Sequence, residues 1–469
     1  MNARFLRQTF HTAVFKVVIL ISRLLLLYLL AQTFTPADYG AFALVTTVTT
    51  FAVFLLGLNL FCYVYRAVPG RPLEERVRVL KSTFTFEVVL ATTIVTLFLL
   101  LGLMSPVLEV LKAAQYENAF AIGLVLLVGL IAAAELQHYL LAKTQIEQSN
   151  WMELVTQALW VFPLLVLWQW GWNIDVSRVL IANVVGVLLG IGYAFTRIEL
   201  RVWWQTRPSW PVIRTALALS VPMIVPSLSF YVLKLSDRFI LSYYHRLDAV
   251  GLYSFAYTFL NTLYAFTATV ILNTFLPYAV EANNRGERER RDLFLTYGLK
   301  SSLAAFALGA GLLLTFSHPL LQWLARPEYL ASGGVMLWLA IGFVMIILGY
   351  PAHYLLMLEN RTALIMVIDL IGLGIGLAGN LLLIPHYSYY GAAVATIIGF
   401  GVVAVLKHAY SRSWNSLRAK DLFSLHTEIA MAGSYLRTAV AGMQGSVSHL
   451  SQRRAAGKSG NHNRHLRVD

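Results

Sequence analysis

The chain has 469 residues, of which 58% are apolar and 13% charged, and its mean hydropathy is +0.66. Soluble proteins carry about 25% charged residues, so this composition excludes a soluble fold and predicts an integral membrane protein. The single cysteine, Cys62, excludes a disulfide framework and a multi-cysteine metal site. The net charge of +13 is confined to short segments between apolar runs, which indicates membrane topology and not nucleic-acid binding.

Apolar runs long enough to cross about 30 Å of hydrocarbon recur about twelve times. Each is predicted to be helical, because a lone strand would leave backbone groups unpaired in lipid. The first run contains Arg23 and has no small-residue cleavage site behind it, so we expect it to remain as a span. In chain order the predicted spans are 14–34, 41–64, 83–104, 119–142, 153–170, 178–196, 213–234, 250–279, 299–321, 334–356, 363–384 and 391–410.

Positive charge alternates between the predicted loops. The poorer side has only Lys112, Arg178, Arg246 and Arg326. Since basic loops remain in the cytoplasm, both termini are predicted to be cytoplasmic. The richer side holds Arg4, Arg7, Lys16, Arg66, Arg71, Arg76, Arg78, Lys81, Lys143, Arg197, Arg201, Arg207, Arg214, Arg285, Arg288, Arg290, Arg291, Lys300, Arg361 and the tail from Lys407.

Two short matches predict that a unit of six helices is duplicated. Asp38-Tyr39-Gly40-Ala41-Phe42 follows the first span, and Asp248-Ala249-Val250-Gly251-Leu252-Tyr253 follows the seventh. His138-Tyr139-Leu140-Leu141 recurs as His353-Tyr354-Leu355-Leu356 at the ends of the fourth and tenth spans. The register that aligns Gly40 with Gly251 also aligns Arg23 with Lys234. Parallel repeats of this kind place the substrate at the interface between the halves.

Charged residues inside the predicted spans are candidates for function, because an ion in hydrocarbon is costly unless it faces protein or water. Arg23, Lys234 and Arg238 are the cationic candidates. They either line a cavity or pair with other helices. Asp237, Glu135 and Asp369 are the acidic candidates, and each either binds a coupling ion or holds two helices together.

Motifs for enzymatic chemistry are absent from the sequence. Gly457-Lys458-Ser459 lacks the upstream glycine and strand of a phosphate-binding loop, and no zinc-protease or nucleophile-elbow pattern occurs. We therefore expect neither enzymatic activity nor a metal or cofactor. The tail, 412–469, is predicted to contain an amphipathic helix over 422–450 that lies on the inner leaflet or docks on a partner, followed by a disordered end.

Three motifs resemble those of Wzx-type polysaccharide flippases over residues 10–410. They are Pro36-Ala37-Asp38-Tyr39-Gly40; Ser236-Asp237-Arg238-Phe239-Ile240-Leu241 with Val250-Gly251-Leu252-Tyr253-Ser254; and Asn380-Leu381-Leu382-Leu383-Ile384-Pro385 with Gly391-Ala392-Ala393-Val394-Ala395-Thr396. The resemblance implies the multidrug/oligosaccharidyl-lipid/polysaccharide exporter fold. This is an all-α polytopic membrane protein with about twelve transmembrane helices in two pseudo-symmetric six-helix lobes around a central cavity. The lobes would be 1–205 and 206–411.

The same resemblance implies transport of an undecaprenyl-pyrophosphate-linked oligosaccharide from the cytoplasmic to the periplasmic leaflet. Arg23, Lys234 and Arg238 lie on helices that line the cavity in that family, which makes them the expected substrate-binding residues. A polysaccharide polymerase or a glycosyltransferase would be the protein partner. The alternatives are a small-molecule antiporter of the same fold, for which a cationic cavity is unfavourable, and a non-transporting subunit of a polysaccharide-secretion complex.

Overall fold

The computed structural model describes residues 3–221, 224–268, 271 and 273–411, and all regular structure within these ranges is helical. The tail segment 412–469, with its predicted amphipathic helix over 422–450, lies outside the described residues. Short 3₁₀ helices occur at Ala114–Tyr116 and Pro327–Ser332, and a π-helix occurs at Val155–Leu159. The α-helices are α1 (Ala3–Thr33), α2 (Pro36–Leu56), α3 (Phe61–Ala67), α4 (Leu73–Leu100), α5 (Met104–Val110), α6 (Glu117–Ala142), α7 (Ile146–Leu154), α8 (Val161–Gln169), α9 (Val176–Phe195), α10 (Leu200–Gln205), α11 (Trp210–Ser220), α12 (Ile224–Tyr244), α13 (Leu247–Thr267), α14 (Asn273–Asn284), α15 (Arg288–Thr315), α16 (Ser317–Leu324), α17 (Gly333–Leu358) and α18 (Thr362–Ser411).

Nine helical segments of the described residues are long and apolar enough to cross a membrane, so the chain is a multi-pass membrane protein. They account for ten of the predicted spans, because α18 contains both 363–384 and 391–410. Ser388, with φ 50° and ψ −133°, breaks α18 between those two spans. Pro385, which has no backbone N–H to donate, lies just before this break.

The seventh and eighth predicted spans have different boundaries in the structure. The described residues of the run 213–234 belong mainly to α11 and α12, and α12 continues to Tyr244 through three charged residues. Those of the run 250–279 belong mainly to α13, which begins earlier at Leu247, and to α14, which continues to Asn284. The predicted boundaries followed apolar runs, whereas polar residues continue these helices where the protein itself surrounds them.

The second predicted span, 41–64, is also shifted. α2 begins earlier because Thr35 and Asp38 form a reciprocal capping box. The Asp38 backbone N–H donates to Thr35 Oγ1 at 3.2 Å, and the Thr35 N–H donates to Asp38 Oδ2 at 3.0 Å. The helix ends at Leu56, since Leu58 and Asn59 adopt positive φ angles of 48° and 55°.

The two glycines that the sequence repeat aligns are in contact where α2 crosses α13. A Cβ atom on Gly40 would overlap the carbonyl group of Leu247, and one on Gly251 would overlap the carbonyl group of Pro36. Each of these hypothetical Cβ atoms would also lie 3.1 Å from the backbone nitrogen of the other glycine. The contact is therefore reciprocal, and it allows the two backbones to approach as closely as small residues permit. We call Pro36, Gly40, Leu247 and Gly251 the glycine crossing.

Candidate functional site

A cavity of about 290 Å³ lies between α1, α2, α12 and α13, next to the glycine crossing. Arg23 and Arg238 both line it, whereas none of its lining residues is acidic. The remaining wall is a mixture of apolar side chains and neutral hydrogen-bonding groups. We call this the central cavity; its lining residues are Arg23, Leu26, Leu27, Leu30, Tyr39, Phe42, Ala43, Thr46, Thr47, Thr50, Leu235, Arg238, Ser254, Thr258, Asn261 and Thr262.

Equivalent positions of the repeat face this cavity from α2 and α13. The register of the glycine crossing pairs Ala43 with Ser254, Thr47 with Thr258 and Thr50 with Asn261, and all six residues line the cavity. The Asn261 side-chain oxygen is buried and has no hydrogen-bond partner among the described residues. A neutral polar surface of this kind can hydrogen-bond a ligand without adding charge.

Arg23 presents its positive charge to the central cavity, and no carboxylate of the described residues forms a direct ion pair with it. Its Nη2 donates to Oε1 of Gln157 at 2.7 Å, and the side chain remains exposed. Glu153, one turn before Gln157, is instead paired with Lys16 at 2.6 Å. Gln157 lies in the π-helix, and Ser22 donates to the carbonyl oxygen of Ala158 in the same segment at 2.9 Å. The irregular turn therefore orients Arg23 through a neutral amide.

Arg238 is buried and more strongly held than Arg23. Its Nη1 lies 3.3 Å from Asp237 Oδ1, and its guanidinium carbon is 4.4 Å from the ring centre of Tyr257. The Tyr253 hydroxyl donates to the other carboxylate oxygen of Asp237. Asp237 thus joins α12 to α13 and compensates part of the charge of Arg238.

Lys234 lies one turn before Arg238 but is not among the residues that line the central cavity. Its ammonium group is 5.9 Å from the ring centre of Phe230 and 5.7 Å from that of Tyr264. No carboxylate of the described residues lies within salt-bridge distance of it. The structure therefore brings Arg23 and Arg238 together in the cavity and leaves Lys234 beside it, between aromatic rings.

The remaining acidic candidates contact neighbouring helices. The Thr83 hydroxyl of α4 donates to Glu135 of α6, and Glu135 is only 2% exposed. Asp369 Oδ1 lies 2.7 Å from Lys407 Nζ, which joins the two parts of α18. Neither residue lines the central cavity. Within the described ranges, no group of three or more His, Cys, Asp or Glu side chains is placed to hold a metal ion.

A model of the polysaccharide biosynthesis protein family matches residues 5–283, more than half of the chain. The chain belongs to this family. The resemblance to Wzx-type flippases that the sequence motifs suggested is therefore confirmed.

Individual relatives agree with this family assignment. The chain is 21% identical over 304 residues to the probable low-salt glycan biosynthesis flippase Agl15 of Haloferax volcanii, and the match spans 64% of this chain and 62% of that protein. Its fold is similar to that of the lipid II flippase MurJ in an inward closed conformation, with a TM-score of 0.70 at 14% identity, covering 92% of this chain and 93% of MurJ. An inward-facing multidrug resistance MATE family transporter gives a TM-score of 0.66 at 13% identity, covering 86% and 94%.

Sequence reasoning missed the neutral groups that complete the site in this family member. The run Thr46-Thr47-Val48-Thr49-Thr50 could have indicated a polar face on α2. Gln157 was missed because a lone glutamine in an apolar run is ambiguous. Pro163, which cannot donate a backbone hydrogen bond to the preceding turn, follows the irregular helix that contains Gln157 and is a sequence signal for it.

Proposed function

We propose that this protein is a flippase that moves an undecaprenyl-pyrophosphate-linked oligosaccharide from the cytoplasmic to the periplasmic leaflet of a bacterial inner membrane, for surface polysaccharide such as O-antigen or exopolysaccharide. The observation that supports the proposal is the central cavity, which is lined by both Arg23 and Arg238 and by no acidic residue. Arginine forms strong, charge-assisted hydrogen bonds with phosphate groups. Arg23 is available to a ligand because a neutral amide is its hydrogen-bond partner.

The proposed architecture is twelve membrane helices in two six-helix lobes, 1–205 and 206–411, with both termini in the cytoplasm. The pseudo-twofold axis would pass through the glycine crossing, which is supported by the reciprocal contact of Gly40 and Gly251. Rocking of the two lobes about the central cavity would expose it to each leaflet in turn. A membrane glycosyltransferase would supply the substrate on the cytoplasmic side, and a polymerase would consume it on the other.

The proposed roles of the charged residues follow from their contacts. Arg23 and Arg238 would bind the pyrophosphate, and Lys234 would contribute from the side of the cavity. Asp237, Glu135 and Asp369 would pair helices, since each has a hydrogen-bonded or ionic partner. An antiporter of cationic drugs is disfavoured because it would need uncompensated carboxylates in the cavity, which the described lining lacks.

Arg23→Ala tests the proposal in a strain that lacks the chromosomal copy. A hydrogen bond to a charged group contributes about 1.5–3 kcal/mol, so we expect binding to weaken by about 10- to 150-fold and export to fall in proportion. The measurements are the surface polysaccharide and the lipid-linked oligosaccharide that accumulates in the membrane. Normal export by Arg23→Ala, at a normal protein level, would contradict the proposal.

Arg178→Ala is the matched control, because it removes the same charge from an exposed position outside the cavity. It should export as the unmodified protein does. Equal losses from both variants would assign the effect to total charge and not to the cavity.

A further inference from the structure

A second and larger cavity, of about 430 Å³, lies between α12, α17 and α18 and is completed by Phe54 of α2. Its volume is in the range of about 300–1,000 Å³ that is usual for small-molecule sites. Most of its wall is apolar, with the rings of Phe230, Tyr231, Tyr350 and Phe400 among the lining residues. We call it the aromatic cavity.

Three polar side chains converge on one part of the aromatic cavity. Lys407 Nζ lies 2.7 Å from Asp369 Oδ1 and 3.2 Å from His353 Nδ1. All three residues line the cavity, while Lys407 is only 6% exposed. Buried groups of this kind are costly unless they are hydrogen-bonded, so they are unexpected in a simple packing defect.

This combination disfavours two classes of ligand. A metal cation would find little net negative charge, because the ammonium group of Lys407 already compensates Asp369. A plain hydrocarbon chain would leave unused the hydrogen-bonding capacity that Asp369 and His353 retain beyond their contacts with Lys407. The cavity instead suits a ligand that is apolar on its faces and carries several hydroxyl groups at its edges. Sugars have this chemistry.

The aromatic cavity adjoins the proposed phosphate site. Lys234 lies over the ring of Tyr264, and the Tyr264 hydroxyl is hydrogen-bonded to that of Tyr350, which lines the aromatic cavity. Phe54, also in its wall, is one turn beyond Thr50 of the central cavity. The two cavities follow one another along α12, since Tyr231 lines the aromatic cavity and Arg238, two turns later on the same face, lines the central cavity.

We propose that the aromatic cavity is a carbohydrate subsite, which holds the sugars next to the pyrophosphate while the pyrophosphate lies at Arg23 and Arg238. This inference rests on the proposed flippase function and adds the part of the substrate that is recognised as a glycan. The apolar faces of the sugar pack on the rings of Tyr231, Phe400 and Tyr350. Its hydroxyl groups exchange hydrogen bonds with Asp369 and His353.

Gly349→Leu tests the subsite by filling it. Gly349 lines the cavity, and a Cβ atom there would meet only Ala404, at 3.7 Å, which is an ordinary contact. The two probes are undecaprenyl pyrophosphate without sugar, and the lipid-linked oligosaccharide extracted from cells that lack the protein. For the purified full-length variant we expect affinity for the glycan-bearing lipid to fall at least about tenfold, to that of the bare lipid, which should bind as it does to the unmodified protein.

Gly311→Leu is the matched control, because Gly311 lies in an exposed part of α15 where a Cβ atom would contact nothing within 4 Å. It should bind both lipids normally. Gly349→Ala adds only the tolerated Cβ atom, so its affinity for the glycan-bearing lipid should lie between those of the unmodified protein and Gly349→Leu. This variant tests the subsite if Gly349→Leu does not fold.

Three outcomes separate this inference from the proposed function. Failure of the unmodified protein to bind either lipid would overturn the flippase proposal itself. Normal binding of both lipids by Gly349→Leu would overturn only the subsite. Equal weakening for both lipids by a folded Gly349→Leu would also overturn the subsite, because the cavity would then hold a part that the two lipids share.

Discussion

The two ends of α2 contact the second half of the chain in different ways. At its start, backbone meets backbone at the glycine crossing, and the Tyr329 hydroxyl donates to the carbonyl oxygens of Phe34 and Thr35 at 3.3 and 3.1 Å. Near its end, the contact with α12 is made by side chains, with Phe54 stacked on Tyr231 at a centroid distance of 3.6 Å.

This difference indicates which end can open. Backbone atoms in contact cannot separate without moving whole helices, whereas two stacked rings can part by rotating about side-chain bonds. The end of α2 at Phe54 adjoins both the central and the aromatic cavity. We therefore expect the glycine crossing to act as a fixed contact in this conformation and the Phe54–Tyr231 stack to act as the weaker closure.

The largest effect is expected for Gly251→Ala at the glycine crossing. The added methyl group would overlap the carbonyl group of Pro36, and overpacking of this kind costs about 1–3 kcal/mol or more. We expect a clearly lower melting temperature for the variant in detergent. Gly374→Ala is the control, since a Cβ atom there would contact nothing within 4 Å and alanine favours the helix by about 0.5–1 kcal/mol. Equal melting temperatures of the two variants would contradict the close backbone contact at the glycine crossing.

An intermediate effect on stability is expected for Tyr329→Phe, which retains the ring and removes only the hydroxyl. Loss of its hydrogen bonds to the carbonyl groups of Phe34, which is buried, and Thr35, which is half-buried, should cost about 1–2 kcal/mol and lower the melting temperature. Tyr243→Phe provides the comparison, because Tyr243 is exposed at the end of α12. If the two variants had the same melting temperature, the Tyr329 hydroxyl would not stabilise the start of α2.

The smallest effect on stability is expected for Phe54→Leu, near the end of α2 that contacts Tyr231. Leucine keeps most of the buried apolar surface, so only the stacking contribution of about 0.5–1.5 kcal/mol is lost. That loss should raise the open population, and the labelling rate of a cysteine in the central cavity, by about two- to tenfold. The measurement uses a chain with Cys62→Ser and Thr47→Cys, at a buried position of the central cavity, in inside-out vesicles labelled by a membrane-impermeant thiol reagent.

Phe316→Leu is the control for this experiment, because Phe316 is an exposed aromatic residue at the end of α15. It should leave the labelling rate unchanged. An unchanged rate in Phe54→Leu as well would mean that the stack does not close the cavity.

The sequence alone determined the membrane class and most of the helices. Long apolar runs can be accommodated only by lipid, and only helices satisfy the backbone there, so ten predicted spans correspond to observed helices. The sequence also selected Arg23, Lys234 and Arg238 as candidates, because charges stand out in apolar runs, and the first and last of them line the central cavity. Their role in substrate binding stays a prediction. The short repeat aligned Gly40 with Gly251, but only the packing of the helices shows that the two glycines are in contact where α2 crosses α13.

The tertiary structure decided which faces enclose a cavity and which charges remain available. In a membrane protein the faces toward lipid and toward other helices are both apolar, so hydrophobic periodicity does not distinguish them. The contact of Arg23 with Gln157 depends on the distance between residues far apart in sequence. The pairing of Asp237 with Arg238 and the position of Lys234 beside the cavity depend on the direction of side chains along α12. Such distances arise from helix packing, which a linear pattern of residue types does not encode.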